Sequence, residues 1–296
     1  MKTCKKVLLV VNPAAGQLKT KTGLMDIVRR MNSLGCLVTV VTTQRHAQAS
    51  EIVKDLMGQY DRLVCCGGDG TLNEVISGLM QTDEPKELGY IPAGTTNDFA
   101  ASLGLAKDLA KAAEAAVCGT AHELDLGLFN DRYFTYVASF GVFSATSYSA
   151  PQSVKNLFGH AAYVMEGLKE LVNIQTYPVR VEADGKKWDG EYIYGSISNA
   201  TSIGGIVRLD PQLVDLQDGK FEVVLIKPLK SADALHRLMI SLASKKYDPE
   251  VMEFFQADAI HMELPDAQDW SLDGEYEPGA AAAEIKSLPR AIRIIY

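Results

Sequence analysis

Leu63-Val64-Cys65-Cys66-Gly67-Gly68-Asp69-Gly70-Thr71-Leu72-Asn73-Glu74 is the stretch that decides the fold. Its first four residues form an apolar run of strand length, and glycines follow at once. The spacing predicts a helix from about Leu72, with Thr71 and Glu74 set three apart as a capping box that fixes its start. A glycine turn opening a helix lets backbone N–H groups approach a polyphosphate, where the helix dipole adds about half a positive charge. Asp69 inside that turn would repel a bare anion. It fits if Mg²⁺ bridges the two, if it bonds a sugar hydroxyl, or if it receives a proton.

The same grammar extends outward. Val7–Val11 reads as a buried strand, followed by a helix near Leu24–Leu34, a strand at Leu37–Thr42 and a helix at Ala47–Met57. A further strand lies at Leu88–Ile91. Such alternation predicts a parallel sheet with helices on both faces. Ligands of such sheets bind beyond the carboxyl ends of the strands. Asn12-Pro13-Ala14-Ala15-Gly16 follows the first strand, and Ile91-Pro92-Ala93-Gly94-Thr95-Thr96-Asn97-Asp98-Phe99-Ala100 ends the fourth. Thr95 or Thr96 is expected to cap a helix, with Asn97 and Asp98 facing the same crevice. Three small-residue loops at three strand ends point to a nucleotide site.

After about Glu123 the pattern changes. Leu124–Leu128, Tyr133–Ala138, Val179–Ala183, Tyr192–Ser198, Phe221–Ile226 and Ile260–Leu264 read as strands, and Asp184-Gly185 is a hairpin signal. This half reads as an antiparallel sheet or sandwich. Leu157, Ala161, Val164, Leu168 and Leu171 form one helical stripe, and Ala232–Ser244 a second helix.

A length of 296 residues suits about two domains. With 29 basic against 37 acidic side chains, the net charge of −8 argues against a nucleic-acid binder. Five cysteines (Cys4, Cys36, Cys65, Cys66, Cys118) without metal-ligand spacing predict buried thiols in a reducing cytosol. Val7–Val11 is too short for a signal segment or a membrane span, so contact with a membrane is expected at the surface only. Residues 1–30 hold seven Lys/Arg against one acid, whereas 251–280 hold eight acids and no Lys or Arg.

Asn12-Pro13-x-x-Gly16, Gly67-Gly68-Asp69-Gly70-Thr71 and Pro92-x-Gly94-Thr95-x-Asn97-Asp98-Phe99, in that order, resemble the diacylglycerol kinase catalytic-domain family in its bacterial soluble lipid kinase branch. Gly204-Gly205, Pro211, Asp215-x-x-Asp218-Gly219 and Asp273-Gly274-Glu275 continue the likeness. The resemblance implies an α/β fold: a nucleotide-binding domain with a parallel sheet over 1–123, rejoined by a returning strand at about 287–296. It further implies an antiparallel β-sandwich domain for the lipid substrate over 124–286, with the active site between the two. ATP would contact Asn12, Pro13, Ala14, Ala15 and Gly16, then Gly68, Asp69, Gly70, Thr71, Leu72, Asn73 and Glu74, and Thr95. Thr43 joins them only by its position after a strand. Mg²⁺ would be held by Asp215, Asp218 and the main-chain carbonyl of Lys220, and Asp125 would sit in a hydrogen-bond network between the domains.

The implied activity is ATP- and Mg²⁺-dependent phosphorylation of a hydroxyl of diacylglycerol or a related membrane lipid. The implied enzyme is cytoplasmic and peripheral at the inner face of the membrane; a homodimer is left open. Asp-Gly-Glu occurs twice, and spacing does not choose between the copies. Asp189-Gly190-Glu191 reads as a turn and strand start, and the resemblance selects Asp273 as proton acceptor. Asp69 is the alternative, by analogy with the sphingosine kinase relatives. An aspartate of pKa about 4 facing an alcohol near ~15 would have to cover roughly 11 units, or about 15 kcal/mol. It therefore accepts the proton late, in a loose transition state. Gln17 and Glu166 stand where the family often carries Lys. Two rivals follow: an NAD-kinase-like soluble metabolite kinase, and a catalytically weak lipid-binding protein.

Overall fold

Five of the six residues of the opening strand, β1 (Lys6–Val11), are buried, as a strand covered on both faces requires. It is followed by α1 (Gly23–Ser33), β2 (Leu37–Thr42), α2 (Gln48–Leu56), β3 (Arg62–Gly67) and α3 (Asp69–Leu79). Then come β4 (Leu88–Pro92), α4 (Asp98–Ser102), α5 (Leu109–Cys118) and β5 (Ala121–Phe129). The computed structural model describes residues 6–16, 23–83, 87–142, 174–203, 207–265 and 267–296. The helical stripe of Leu157–Leu171, Gly204-Gly205, Gln17, Glu166 and Cys4 lie outside the described residues.

The chain divides into two units, Met1–Leu126 with Pro289–Tyr296, and Gly127–Leu288. In the first, four strands run parallel in the order β2-β1-β3-β4, with Leu9 between Val40 and Val64, and Cys66 opposite Ile91. Ile27 and Met31 of α1 and Ala112, Ala113 and Ala116 of α5 pack with Val7, Leu9, Val64 and Ile91 into one core. The small side chains of α5 let it lie close on the sheet. β2 is the sheet edge, and there Leu37 and Val40 stay exposed. Cys36, Cys65 and Cys66 are buried, as expected of thiols in apolar runs, whereas Cys118 is exposed, against that expectation. Cys118 ends α5 on the solvent side of its last turn. Burial pushes the Cys66 thiol up to about 12, which leaves it protonated and inert.

The second unit is antiparallel. Its strands are β6 (Arg132–Phe134), β7 (Val137–Gly141), β8 (Tyr177–Ala183), β9 (Lys186–Tyr192), β10 (Tyr194–Ser198), β11 (Ser202–Ile203), β12 (Val207–Arg208) and β13 (Phe221–Ile226). After α6 (Ala232–Ser244) follow β14 (Met252–Ala257), β15 (Ala259–Glu263), β16 (Trp270–Leu272), β17 (Glu275–Glu277) and β18 (Ala282–Ile295). One sheet runs β14-β13-β10-β7-β16-β17; facing it, β8 pairs with β9 and β15, and β15 with the start of β18. Val179 and Val181 of β8 alternate inward with every second residue, onto Phe140, Phe221 and Trp270 of the other sheet. Trp270 meets the Phe140 ring edge-on at 4.9 Å. This is a β-sandwich core. The end of β18 runs parallel to β4 within the first unit, Ile294 opposite Leu88.

Asp184 and Gly185 take φ of +51° and +72° in the two-residue turn joining β8 to β9, as the hairpin signal requires. Three strand readings need correction. Tyr192–Ser198 is not one strand: Tyr192 ends β9, the chain bends at Ile193, whose N–H donates to the Ile226 carbonyl, and Tyr194 opens β10. Tyr133–Ala138 is not one strand: it breaks after Phe134, because the next three backbone N–H groups bind a side chain rather than a neighbouring strand. Asp189-Gly190-Glu191 is no turn; it lies inside β9, with Asp189 opposite Arg180. Among the described residues no helix is long and apolar enough to cross a membrane.

Candidate active site

Three loops meet at the carboxyl ends of β1, β3 and β4. Asn12 ends β1 with its N–H on the Cys66 carbonyl at 2.9 Å. Its side chain donates to Thr71 Oγ1 at 3.0 Å and accepts from Ala14 N–H at 3.0 Å, tying the first loop to α3. Pro13, Ala14 and Gly16 are exposed and Ala15 is buried. A Cβ on Gly16 would stand 3.1 Å from Thr95 Oγ1, so the first and third loops are neighbours. The approach is tightest at Gly94, where a Cβ would come within 2.6 Å of Gly68 Cα; only glycine allows the two backbones to touch. Thr43 lies alongside, its N–H on the Val11 carbonyl at 2.9 Å.

The helix after the glycine turn starts at Asp69, three residues before the expected Leu72, with Gly68 at its N-cap and no capping side chain. The capping box is therefore corrected. Thr71 is inside the helix and holds Asn12 instead. Glu74 reaches to the start of α2, where it accepts from Ala47 N–H at 2.7 Å and Ala49 N–H at 3.0 Å, with His46 Nδ1 at 3.2 Å. The start of α2 has only Ala47 at its cap, so its open N–H groups attract that carboxylate. In α3 itself bonding begins at Leu72 N–H on the Gly68 carbonyl, 3.0 Å; earlier N–H groups of the turn have no intrahelical acceptor. That is the geometry of an anion site. Leu72 and Asn73 are buried.

Neither Thr95 nor Thr96 caps α4; both are exposed, and Asn97, at φ 54°, takes the cap position. The Asn97 amide folds back onto Gly94, accepting its N–H at 3.0 Å and donating to its carbonyl at 2.8 Å. Asp98 is buried, and its N–H donates to Asp69 Oδ2 at 2.9 Å. Tyr90 brings its hydroxyl to 3.4 Å from Asp69 Oδ1. Burial first, then the Asp69 charge, holds the Tyr90 phenol well above its usual range, so it stays a donor. Asp69 is thus fixed from two sides. Asp125 is fully buried and accepts the Arg290 N–H at 2.7 Å, a bond within the first unit.

In the second unit, Asp273 sits at φ 51° in the two-residue turn between β16 and β17, followed by Gly274 at 89°. Its carboxylate is almost wholly buried and accepts three backbone N–H groups: Thr135 at 2.5 Å, Tyr136 at 2.9 Å and Val137 at 3.0 Å. Glu275, across the turn, is partly exposed. Asp215 and Asp218 lie in the exposed loop before β13, accepting the N–H of Gln217 at 3.0 Å and of Lys220 at 2.9 Å. Glu222, which sequence reading passed over, is buried just beyond them, and its carboxyl is pushed up to about 8. Burial is the main cause; the Gln256 amide opposes it, and Asp218 and Asp215 add to it. An acid inside an apolar strand signature was its only trace in the sequence.

Comparison with known proteins fits this arrangement. Residues 6–129 match the diacylglycerol kinase catalytic domain, and residues 137–296 match the YegS C-terminal NAD kinase beta sandwich-like domain. A Bacillus subtilis diacylglycerol kinase is 29% identical over 293 residues, covering 98% of this chain and 96% of the relative. One from Staphylococcus epidermidis is 30% identical, covering 98% and 92%. A crystal structure of a diacylglycerol kinase-type protein from Bacillus anthracis superposes with a TM-score of 0.80 at 26% identity, covering 100% and 96% of the two chains. Fold and matches together define a lipid kinase, a transferase. The chain belongs to the diacylglycerol kinase family.

Proposed function

We propose that the protein transfers the γ-phosphoryl group of ATP to a hydroxyl of diacylglycerol or a closely related membrane lipid. The observation that carries this reading is the meeting of three glycine-bearing loops at the ends of β1, β3 and β4, with a helix start open to anions. The phosphates lie against the backbone of Gly68, Asp69, Gly70 and Thr71. Asn12 to Gly16, Thr43, Leu72 to Glu74 and Thr95 complete the ATP surface. Asp69, held by Tyr90 and the Asp98 N–H, presents a fixed negative group beside it.

The acceptor-side chemistry belongs to the turn 272–275. Asp273 is the residue that motif order selects as proton acceptor. Its carboxylate accepts three backbone N–H groups, which lowers its basicity and suits orienting a substrate hydroxyl better than pulling a proton. Glu275 in the same turn, partly exposed, offers the better proton acceptor, so both residues are assigned to this step.

Asp215, Asp218 and the Lys220 carbonyl form an all-oxygen donor set, which fits a hard cation such as Mg²⁺. Bound there, the ion supplies positive charge that offsets the acidic loop. The enzyme would work in the cytoplasm, at the inner face of the membrane, and feed phospholipid synthesis. The NAD-kinase-like match of the second half keeps a soluble metabolite kinase as the second reading.

Labelled ATP offered with extracted lipids or with NAD separates the readings. Label in the organic phase is the expected result. Label on NAD would give the metabolite kinase, and bound ATP without transfer would give a lipid-binding protein that does not catalyse.

A further inference from the structure

The sandwich unit buries one carboxyl that the reading above leaves unused. Phe221, Val223 and Leu225 of β13 enter the sandwich core, so strand alternation sends the fully buried Glu222 to the opposite face. There it stands in register with Ser198 on β10 and Gln256 on β14. Its Oε1 accepts the Gln256 side-chain amide at 3.0 Å, and the same nitrogen donates to the Leu213 carbonyl at 2.8 Å. Gln256 thereby links the carboxyl to the loop that carries Asp215 and Asp218. Among the described residues, Oε2 has no hydrogen-bond partner. The acidic charges bearing on it are those of Asp218 and Asp215.

A buried oxygen left unpaired keeps its desolvation cost uncompensated, the more so if charged. Such atoms are usually completed by water or an ion. The oxygens of Asp215, Asp218 and Glu222 do not all come within 4.8 Å of one another, so the three do not cage one ion directly. Mg²⁺, however, keeps several of its waters when it binds protein. We propose that Glu222 is a positioning residue of the cation site in the 215–220 loop, its Oε2 accepting a hydrogen bond from a water on an ion held by Asp215, Asp218 and the Lys220 carbonyl. This rests on the cation site proposed above. Glu222→Gln keeps the shape and the acceptor for Gln256. It turns an N–H toward the water in place of an acceptor oxygen.

The test is a Mg²⁺ titration of the metal-free full chain, without nucleotide or lipid, read by calorimetry and by the thermal midpoint. Wild type should bind and gain stability with Mg²⁺. Glu222→Gln should keep the wild-type midpoint in chelator or exceed it, yet bind Mg²⁺ about 10–100-fold more weakly, the usual loss for such second-layer partners. The double variant Asp215→Ala, Asp218→Ala should not bind. Equal affinity in wild type and Glu222→Gln, with binding lost in the double variant, overturns the role of Glu222 and leaves the cation site standing. A Glu222→Gln midpoint that collapses in chelator makes the residue structural and overturns the role too. Absence of Mg²⁺ binding by wild type overturns both.

Discussion

Asp273 accepts three backbone N–H groups, and that sets it apart from its look-alike Asp189, which makes an exposed pair with Arg180. Asp273→Asn should lower turnover and also destabilise the fold by about 1–3 kcal/mol, because an amide nitrogen then faces donors. Glu275→Gln should lower kcat by about 10²–10⁴ with an unchanged thermal midpoint. Asp189→Asn should alter neither, since exposed pairs contribute under about 1 kcal/mol. Steady-state kinetics beside thermal melts on the three variants separates these roles; an Asp189 variant as impaired as the Asp273 one would reverse the assignment. The two Asp-Gly-Glu copies could not be told apart by local sequence. What distinguishes them is the φ of +51° at Asp273, set by strands that pair 130 or more residues away in the chain. Glu222 gives a second residue-scale test, in chelator. Its folded value is raised from 4.5 to about 8, so the folded chain keeps a proton that the unfolded chain releases. Stability should therefore fall as pH rises between those values and level off above. Glu222→Gln should remove that slope in denaturant titrations across the range; equal slopes would contradict the burial argument.

Among the elements, α3 shows most clearly how the loops are built. Its start carries no capping side chain, so its N–H groups remain turned to the loop, while Glu74 from the same helix caps α2. Glu74→Ala should cost about 0.5–2 kcal/mol through the loss of that cap. Hydrogen exchange should locate the change at residues 47–50; protection unchanged there would refute the role. Gly70→Val should place a branched side chain where backbone must approach phosphate. Calorimetry should find Mg·ATP affinity lost in a folded variant, and intact affinity would move the nucleotide elsewhere. The parallel strands were legible because strands buried on both faces read as unbroken apolar runs, as Val7–Val11 does. The cap of α2 was not, since its partner stands 25 residues on. Helix α5 escaped because an alanine-rich surface shows little apolar contrast, and β16 and β17 because three residues carry no period.

The whole molecule joins a parallel α/β unit bearing glycine loops to an antiparallel sandwich with acidic turns, and each is matched separately by a family domain. The order of motifs carried most of this, since loops at strand ends leave glycine and asparagine signatures in the sequence. The hydrogen bonds that fix Asp69 and Asp273 did not, because they join residues distant in sequence through backbone N–H groups of any residue type. In the function proposed above, these two units together phosphorylate a glycerolipid hydroxyl. The most direct measurement is mass spectrometry of dioleoylglycerol in mixed micelles after incubation with the wild-type chain, ATP and Mg²⁺. The lipid should gain one phosphoryl group, in an amount equal to the ADP formed, and Gly70→Val should prevent it. Lipid recovered unchanged by a chain that binds Mg·ATP would contradict that function.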